Sequence, residues 1–273
     1  MTGSPLLFDR TALARHRARV SGDALFLHES AVDEVQDRLE LVNRSFNSVG
    51  IVTAFPDLWR KAFPGATIVA DEETLALQPG AHDLVVHAMG LHWANDAVGQ
   101  IIQCRRAMVP DGLFLGVMLG GRTLVELRMA LAEAETRTTG GLSPRVAPMA
   151  EIRDMGGLLQ RAGLNLPVVD SFETVAEYRD LWHLMRDLRA MGETNALSAR
   201  LRRFTSRTLF DAAQSIYAEH FTQPGTARLR ATFEILCLTG WVPDESQPRP
   251  LRPGSATTRL ADALGTRETP LQD

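Results

Sequence analysis

Apolar positions along the chain switch between two rhythms. Short β-branched or aliphatic runs occur at residues 49–54, 67–70, 83–89 and 113–119, bounded by Pro, Gly or Asp. Uninterrupted apolar runs of this length predict strands buried on both faces, as in a parallel sheet. Between them the spacing is helical, predicting helices over residues 10–20 and 23–44, then 57–63, 96–108 and 123–137. In the second helix Leu25, Ala31, Val32, Val35, Leu39 and Val42 share one face and the charges fall between them. Further helices are predicted over 149–162, 180–191 and 208–221, with late strands over 167–178 and 230–242. Pro110-Asp111-Gly112 and Gly140-Gly141-Leu142-Ser143-Pro144 read as turn and loop. No internal repeat is present. The order predicts an α/β fold with a mainly parallel sheet and helices on both faces. An N-terminal helical segment (1–45) precedes the α/β domain with its helical insertion (46–250), and a Pro/Gly/Thr/Arg-rich tail (251–273) is expected to be mobile.

Composition adds a few exclusions. At 273 residues, 45% hydrophobic and 23% charged, the chain is long enough and apolar enough to bury a core. A net charge of -4 argues against nucleic acid as a partner. Lys61 is the single lysine among 29 basic residues. Of the arginines, Arg10, Arg15, Arg17 and Arg19 cluster on the first predicted helix, placed to grip an acidic partner or a cofactor carboxylate. Cys104 and Cys237 lack metal-ligand spacing and read as reduced, buried thiols. No apolar run approaches the ~20 residues of a membrane span, and no secretory signal is legible at the N-terminus. The expectation is a cytoplasmic protein, peripheral to the inner membrane at most and meeting it only through a partner.

The chemistry-bearing stretches come in a fixed order. Phe8-Asp9-Arg10 is followed by Asp71-Glu72-Glu73-Thr74-Leu75, Asp83-Leu84-Val85-Val86 and Leu91-His92-Trp93-Ala94-Asn95-Asp96. Gly120-Gly121-Arg122-Thr123-Leu124 and Met191-Gly192-Glu193-Thr194-Asn195 come later, with Glu245-Ser246-Gln247 and Gly254-Ser255-Ala256 near the end. Together they resemble the respiratory complex I assembly factor 5 family, relatives of the malonyl-acyl-carrier-protein methyltransferases, over residues 8–256. The resemblance implies a Rossmann-like class I methyltransferase fold and S-adenosylmethionine as cofactor. It also implies a protein client, a subunit of NADH dehydrogenase at the quinone site whose arginine is hydroxylated.

The sequence departs from a working methyltransferase in two places. The first strand runs into Thr53-Ala54-Phe55-Pro56 with no Gly-rich turn to let the backbone approach a cofactor. Only 12 positions separate Asp71 from Asp83, too few for a βα unit, so one such unit is expected to be missing. Asp71 is then the ribose acid, or Asp71-Glu72 the later pair facing the adenine, or the acids cap an exposed strand end. Ligands of open α/β sheets sit beyond the carboxyl ends of the strands. The cofactor is therefore expected against Ala54, Phe55, Asp71, Glu72, His87 and Met89. Catalysis is expected from His92 as base, Trp93 as stacking surface and Asp96 as orienting acid, with Asn95 and Asp96 alternatively serving as helix caps. No metal site is assigned. Two functions stay open: a methyltransferase-like enzyme acting on a protein, or a non-catalytic chaperone that kept the fold after losing the turn.

Overall fold

The computed structural model describes residues 6–21, 24–248, 258 and 260–266. The first four apolar runs form β1 (Val49–Val52), β2 (Thr67–Val69), β3 (His82–Ala88) and β4 (Met108–Leu119). The late runs form β5 (Asn165–Tyr178) and β6 (Leu229–Trp241). They pair as one six-stranded sheet in the order β2-β1-β3-β4-β6-β5. The first four strands are parallel, whereas β6 runs antiparallel to both β4 and β5. This is a Rossmann-like class I methyltransferase sheet, and β2 forms its edge beside β1 with no strand beyond, as the short spacing to Asp83 predicts.

Strand alternation sorts the core into two layers. Leu84, Val86, Leu113, Leu115 and Val117 face one way, while Val85, Phe114 and Met118 face the other. The first layer is covered by α2 (Phe26–Leu41), α3 (Pro56–Ala62), α5 (Val125–Thr139), α7 (Leu181–Ala190) and α8 (Arg207–His220). The second is covered by α4 (Ala97–Ala107) and α6 (Ile152–Arg161), through Ile101, Cys104, Met155 and Leu159. Both cysteines are free and buried, as expected. Gly116 is required by close packing, since a Cβ there would meet Leu238 at 2.9 Å.

Pro110-Asp111-Gly112 differs from the expected turn. Asp111 takes φ +58°, and the three residues are absorbed into β4 as an irregularity that shifts the register between His82 and Leu84. The ladder survives because Val242 N–H donates to the Gly112 carbonyl (2.9 Å). The first helix, α1 (Arg10–Arg17), is shorter than its pattern predicts. Its cap Asp9 accepts from Ala12 N–H (3.0 Å) and pairs with Arg200 (2.9 Å), fixing α1 to the loop after α7. A second unit, Asp244–Asp273, carries α9 (Leu260–Leu264) within its described part; the rest of the predicted tail, and Gly254-Ser255-Ala256, lie outside the described residues. Among the described residues no helix is long and apolar enough to cross a membrane.

Candidate functional site

Three strand ends meet at the carboxyl edge of the sheet. After β1, Thr53 is buried and its Oγ1 accepts from Phe55 N–H (3.1 Å), so a hydroxyl closes the turn where other folds use glycine. The Phe55 ring stands edge-on to buried His28 of α2 at 4.4 Å between centroids, and Pro56 begins α3. After β3, Met89 adopts the left-handed conformation (φ +54°), which a non-glycine residue enters only when its surroundings enforce it. A 3-10 turn then carries Leu91, His92 and Trp93 inward.

α1 lies against this edge and supplies cations to it. Arg17 Nη1 donates to both oxygens of Asp71, at 2.9 and 2.8 Å, and Arg10 reaches the same carboxylate and the Asp71 carbonyl. Both Asp71 and the Arg17 side chain are nearly buried, while Arg15 and Arg19 stay exposed. The arginine cluster thus grips an internal acid. These residues do not fit S-adenosylmethionine in a glycine-cradled mode: Phe55 and Pro56 stand where glycine leaves room, and Asp71 is committed to Arg17. Glu72 is exposed and contributes its carbonyl to Gln100, so no acidic pair forms with Asp71.

His92, Trp93 and Glu193 form a second buried cluster. Trp93 Nε1 donates to Glu193 Oε2 at 2.8 Å, and His92 Nε2 lies 3.5 Å from the same oxygen. Leu119 N–H points at His92 Nδ1 (3.4 Å), so the neutral ring carries its proton on Nε2, facing Glu193. Burial by itself would raise the Glu193 pKa, yet it is lowered: the His92 contact and the charges of His92, Arg17 and His28 outweigh desolvation. Glu193 is therefore an ionised carboxylate with a side chain only 8% exposed.

That carboxylate lines a cavity of about 220 Å³ whose walls are mostly apolar. Leu119 at the end of β4, Leu127 of α5, Leu188 of α7, Phe210 of α8 and Phe233 of β6 build it, with Trp93 beside Glu193. Arg145 also lines it but is matched by Glu135 (2.7 Å), whose pKa Arg145 and Ser143 hold down at about 2. Arg189 is exposed at the same cavity.

Burial sets the protonation of the remaining histidines. His87 Nε2 bonds Gln100 Oε1 at 2.6 Å, and since Gln100 Nε2 donates to the Glu72 carbonyl, His87 is the donor. His28 and His87 are each pushed down to about 4, chiefly by desolvation. Both are neutral at pH 7. The unfolded chain binds these protons below about pH 6.5, so the stability they confer is complete above that value and lost as pH falls toward 4. At the limit each withdraws about 3 kcal/mol. The thermal midpoint should therefore drop steeply between pH 6.5 and 4, and His28→Leu should flatten the drop; equal slopes for the two proteins would refute the assignment.

The expected site residues therefore divide. Ala54, Phe55, Asp71, His87, Met89, His92 and Trp93 gather at the sheet edge, whereas Asp96 does not serve as an acid there. It is exposed and caps α4, accepting from Gly99 N–H at 2.8 Å, so its catalytic assignment is replaced by a capping one. Asn95 is no cap; it braces the Phe8 backbone, accepting from its N–H (2.8 Å) and donating to its carbonyl (3.1 Å). Glu193 and His28 escaped sequence reasoning. His28 shares a helical stripe with Ala31, Val32 and Val35, which marks it as buried; Glu193 follows Gly192, a left-handed helix terminator (φ +80°), and its partners lie a hundred residues away.

No family model matches the chain. "Arginine-hydroxylase NDUFAF5, mitochondrial" of Danio rerio is 39% identical over 199 residues, covering 73% of this chain and 61% of that protein. The Homo sapiens protein of the same name is 36% identical over 223 residues, covering 82% and 64%. "Malonyl-[acyl-carrier protein] O-methyltransferase" of a Methylovorus strain is 33% identical over 198 residues, covering 70% and 64%. The chain thus spans less than two thirds of the length of each of these relatives. With two related groups aligned across most of its length and the sheet order in hand, the chain belongs to the class I methyltransferase-like family of the arginine-hydroxylase, complex I assembly factor 5 type, related to the malonyl-acyl-carrier-protein methyltransferases.

Proposed function

We propose that the protein is an assembly factor that takes an arginine side chain of a client protein into the cavity beside Glu193. The observation that carries this reading is an ionised, buried carboxylate in an apolar wall. An arginine has the matching shape: three methylenes that prefer apolar contact and a planar cation that prefers a carboxylate. Trp93 and His92 hold Glu193 in place, and exposed Arg189 offers donors to carbonyls of the client backbone. The name of the relatives supports hydroxylation as the modification, and the resemblance supports the quinone-site subunit of NADH dehydrogenase as the client. In a deletion strain complemented with the wild-type gene, mass spectrometry of that subunit should find one added oxygen on an arginine. It should be missing without the gene and with Glu193→Gln. An unchanged modification in the uncomplemented strain would sink the reading.

A non-catalytic chaperone is the second reading, favoured by the commitment of Asp71 to Arg17 and the absence of a glycine turn. Complex assembly that persists in the Glu193→Gln strain despite an unmodified arginine would select it.

A further inference from the structure

The stretch between Glu193 and Asp211 carries Arg200, Arg202, Arg203 and Arg207 and no acidic residue, in a chain whose net charge is -4. Its ends are fixed. Leu197 bridges to Phe8, and Ser198 N–H donates to the Leu7 carbonyl (2.9 Å). At the other end Arg145 Nη1 donates to Thr205 Oγ1 (2.9 Å), and Ser206 caps α8. Between these anchors the side chains of Arg202, Arg203 and Phe204 stand in solvent, with Phe204 at 104% of full exposure. Leu201 is exposed beside it, and exposed Leu6 and Leu7 adjoin the anchored end. Asp9 takes Arg200 (2.9 Å) and the edge of Arg202 (3.6 Å), and Arg203 and Arg207 have no ionic partner among the described residues.

We infer that this loop is an anionic-membrane contact, with Phe204 entering the headgroup region and the arginines pairing with lipid phosphates. Three features favour a lipid surface over a protein. The aromatic sits at a convex tip instead of a groove, where a protein partner would have no pocket wall to oppose. Arginine on both sides lets the charges stay at the headgroup level while the ring goes deeper. The excess is of one sign, complementary to an anionic leaflet. This replaces the expectation that the membrane is met only through a partner, and it stands apart from the arginine cavity.

Vesicle flotation tests it, using pure phosphatidylcholine and phosphatidylcholine containing a fraction of phosphatidylglycerol. The full chain should float with the anionic vesicles at low salt, stay behind with the neutral ones, and be released by added salt. Arg202→Glu and Arg203→Glu should each weaken binding roughly fivefold or more. Phe204→Trp should keep binding and give a blue-shifted emission on anionic vesicles only, a signal that a purely structural loop would not produce. No flotation at low salt, unshifted emission, or charge reversals that leave binding unchanged would each overturn the inference. Capture by immobilised poly-glutamate without any vesicle binding would overturn it too, in favour of an acidic protein.

Discussion

Glu193→Gln should weaken binding of an arginine-bearing client peptide by at least tenfold, while Glu193→Ala should also destabilise the fold. The two substitutions remove different things. Glutamine keeps the shape and lets its carbonyl accept from Trp93 Nε1, which lies 2.8 Å from Glu193 Oε2. Its amide hydrogens then approach His92 Nε2, which already carries the proton because Nδ1 faces the Leu119 N–H. The site loses its negative charge but stays closed. Removing one member of a buried charge-assisted contact costs about 2–5 kcal/mol of binding, so tenfold is a floor. Alanine instead leaves Trp93 Nε1 and His92 Nε2 buried without a partner, at about 1–3 kcal/mol of stability each. Calorimetry with the peptide and its citrulline counterpart separates the two effects. Wild-type protein should prefer the arginine form, and Glu193→Gln should bind both equally weakly. An unaltered preference in Glu193→Gln would remove the carboxylate from recognition.

Much of the fold was legible because burial on both faces leaves an unmistakable pattern. The uninterrupted runs Val85-Val86 and Leu113-Phe114-Leu115 could belong only to inner strands, and they pair centrally as β3 and β4. The missing unit was legible as arithmetic, since 12 positions cannot hold a helix and a strand. The candidate site was only half legible. Residues at strand ends, such as His87, His92 and Trp93, could be placed because topology fixes where a parallel sheet ends. Glu193 and Arg17 could not, because their importance comes from contacts across 100 and 54 positions that no local pattern encodes. Asp71 shows the same limit. Its position after β2 was readable, but its partner on α1 was not, and the partner decides whether the carboxylate is free. The capping role of Asp96 was readable in advance, since Asp immediately before an apolar-periodic run is a preferred helix start.

Arg17→Ala should be the most damaging single change outside the hydrophobic layers. Asp71 is buried and accepts two hydrogen bonds from Arg17, with Arg10 a longer contact at 3.5 Å. Removing one partner of a buried ion pair strands the other charge, at about 3–5 kcal/mol. Asp71→Asn should cost a similar amount by leaving the Arg17 guanidinium uncompensated, with its Nε and Nη2 already unpartnered. The double variant Arg17→Ala/Asp71→Asn should then be more stable than the sum of the single losses predicts, since neither charge remains to be buried. Urea midpoints of the four proteins measure this coupling. Hydrogen exchange locates it: amides of α1 should open in Arg17→Ala while β3 and β4 stay protected, because α1 would keep only the Asp9–Arg200 pair and the edge-on Phe8–Trp93 contact at 5.1 Å to hold it. If α1 loosens, Asp71 is uncovered, and Arg17→Ala becomes the variant in which to look for S-adenosylmethionine binding that the wild-type arrangement excludes. Strict additivity of the two substitutions would mean that the pair is incidental and that α1 is held by its other contacts.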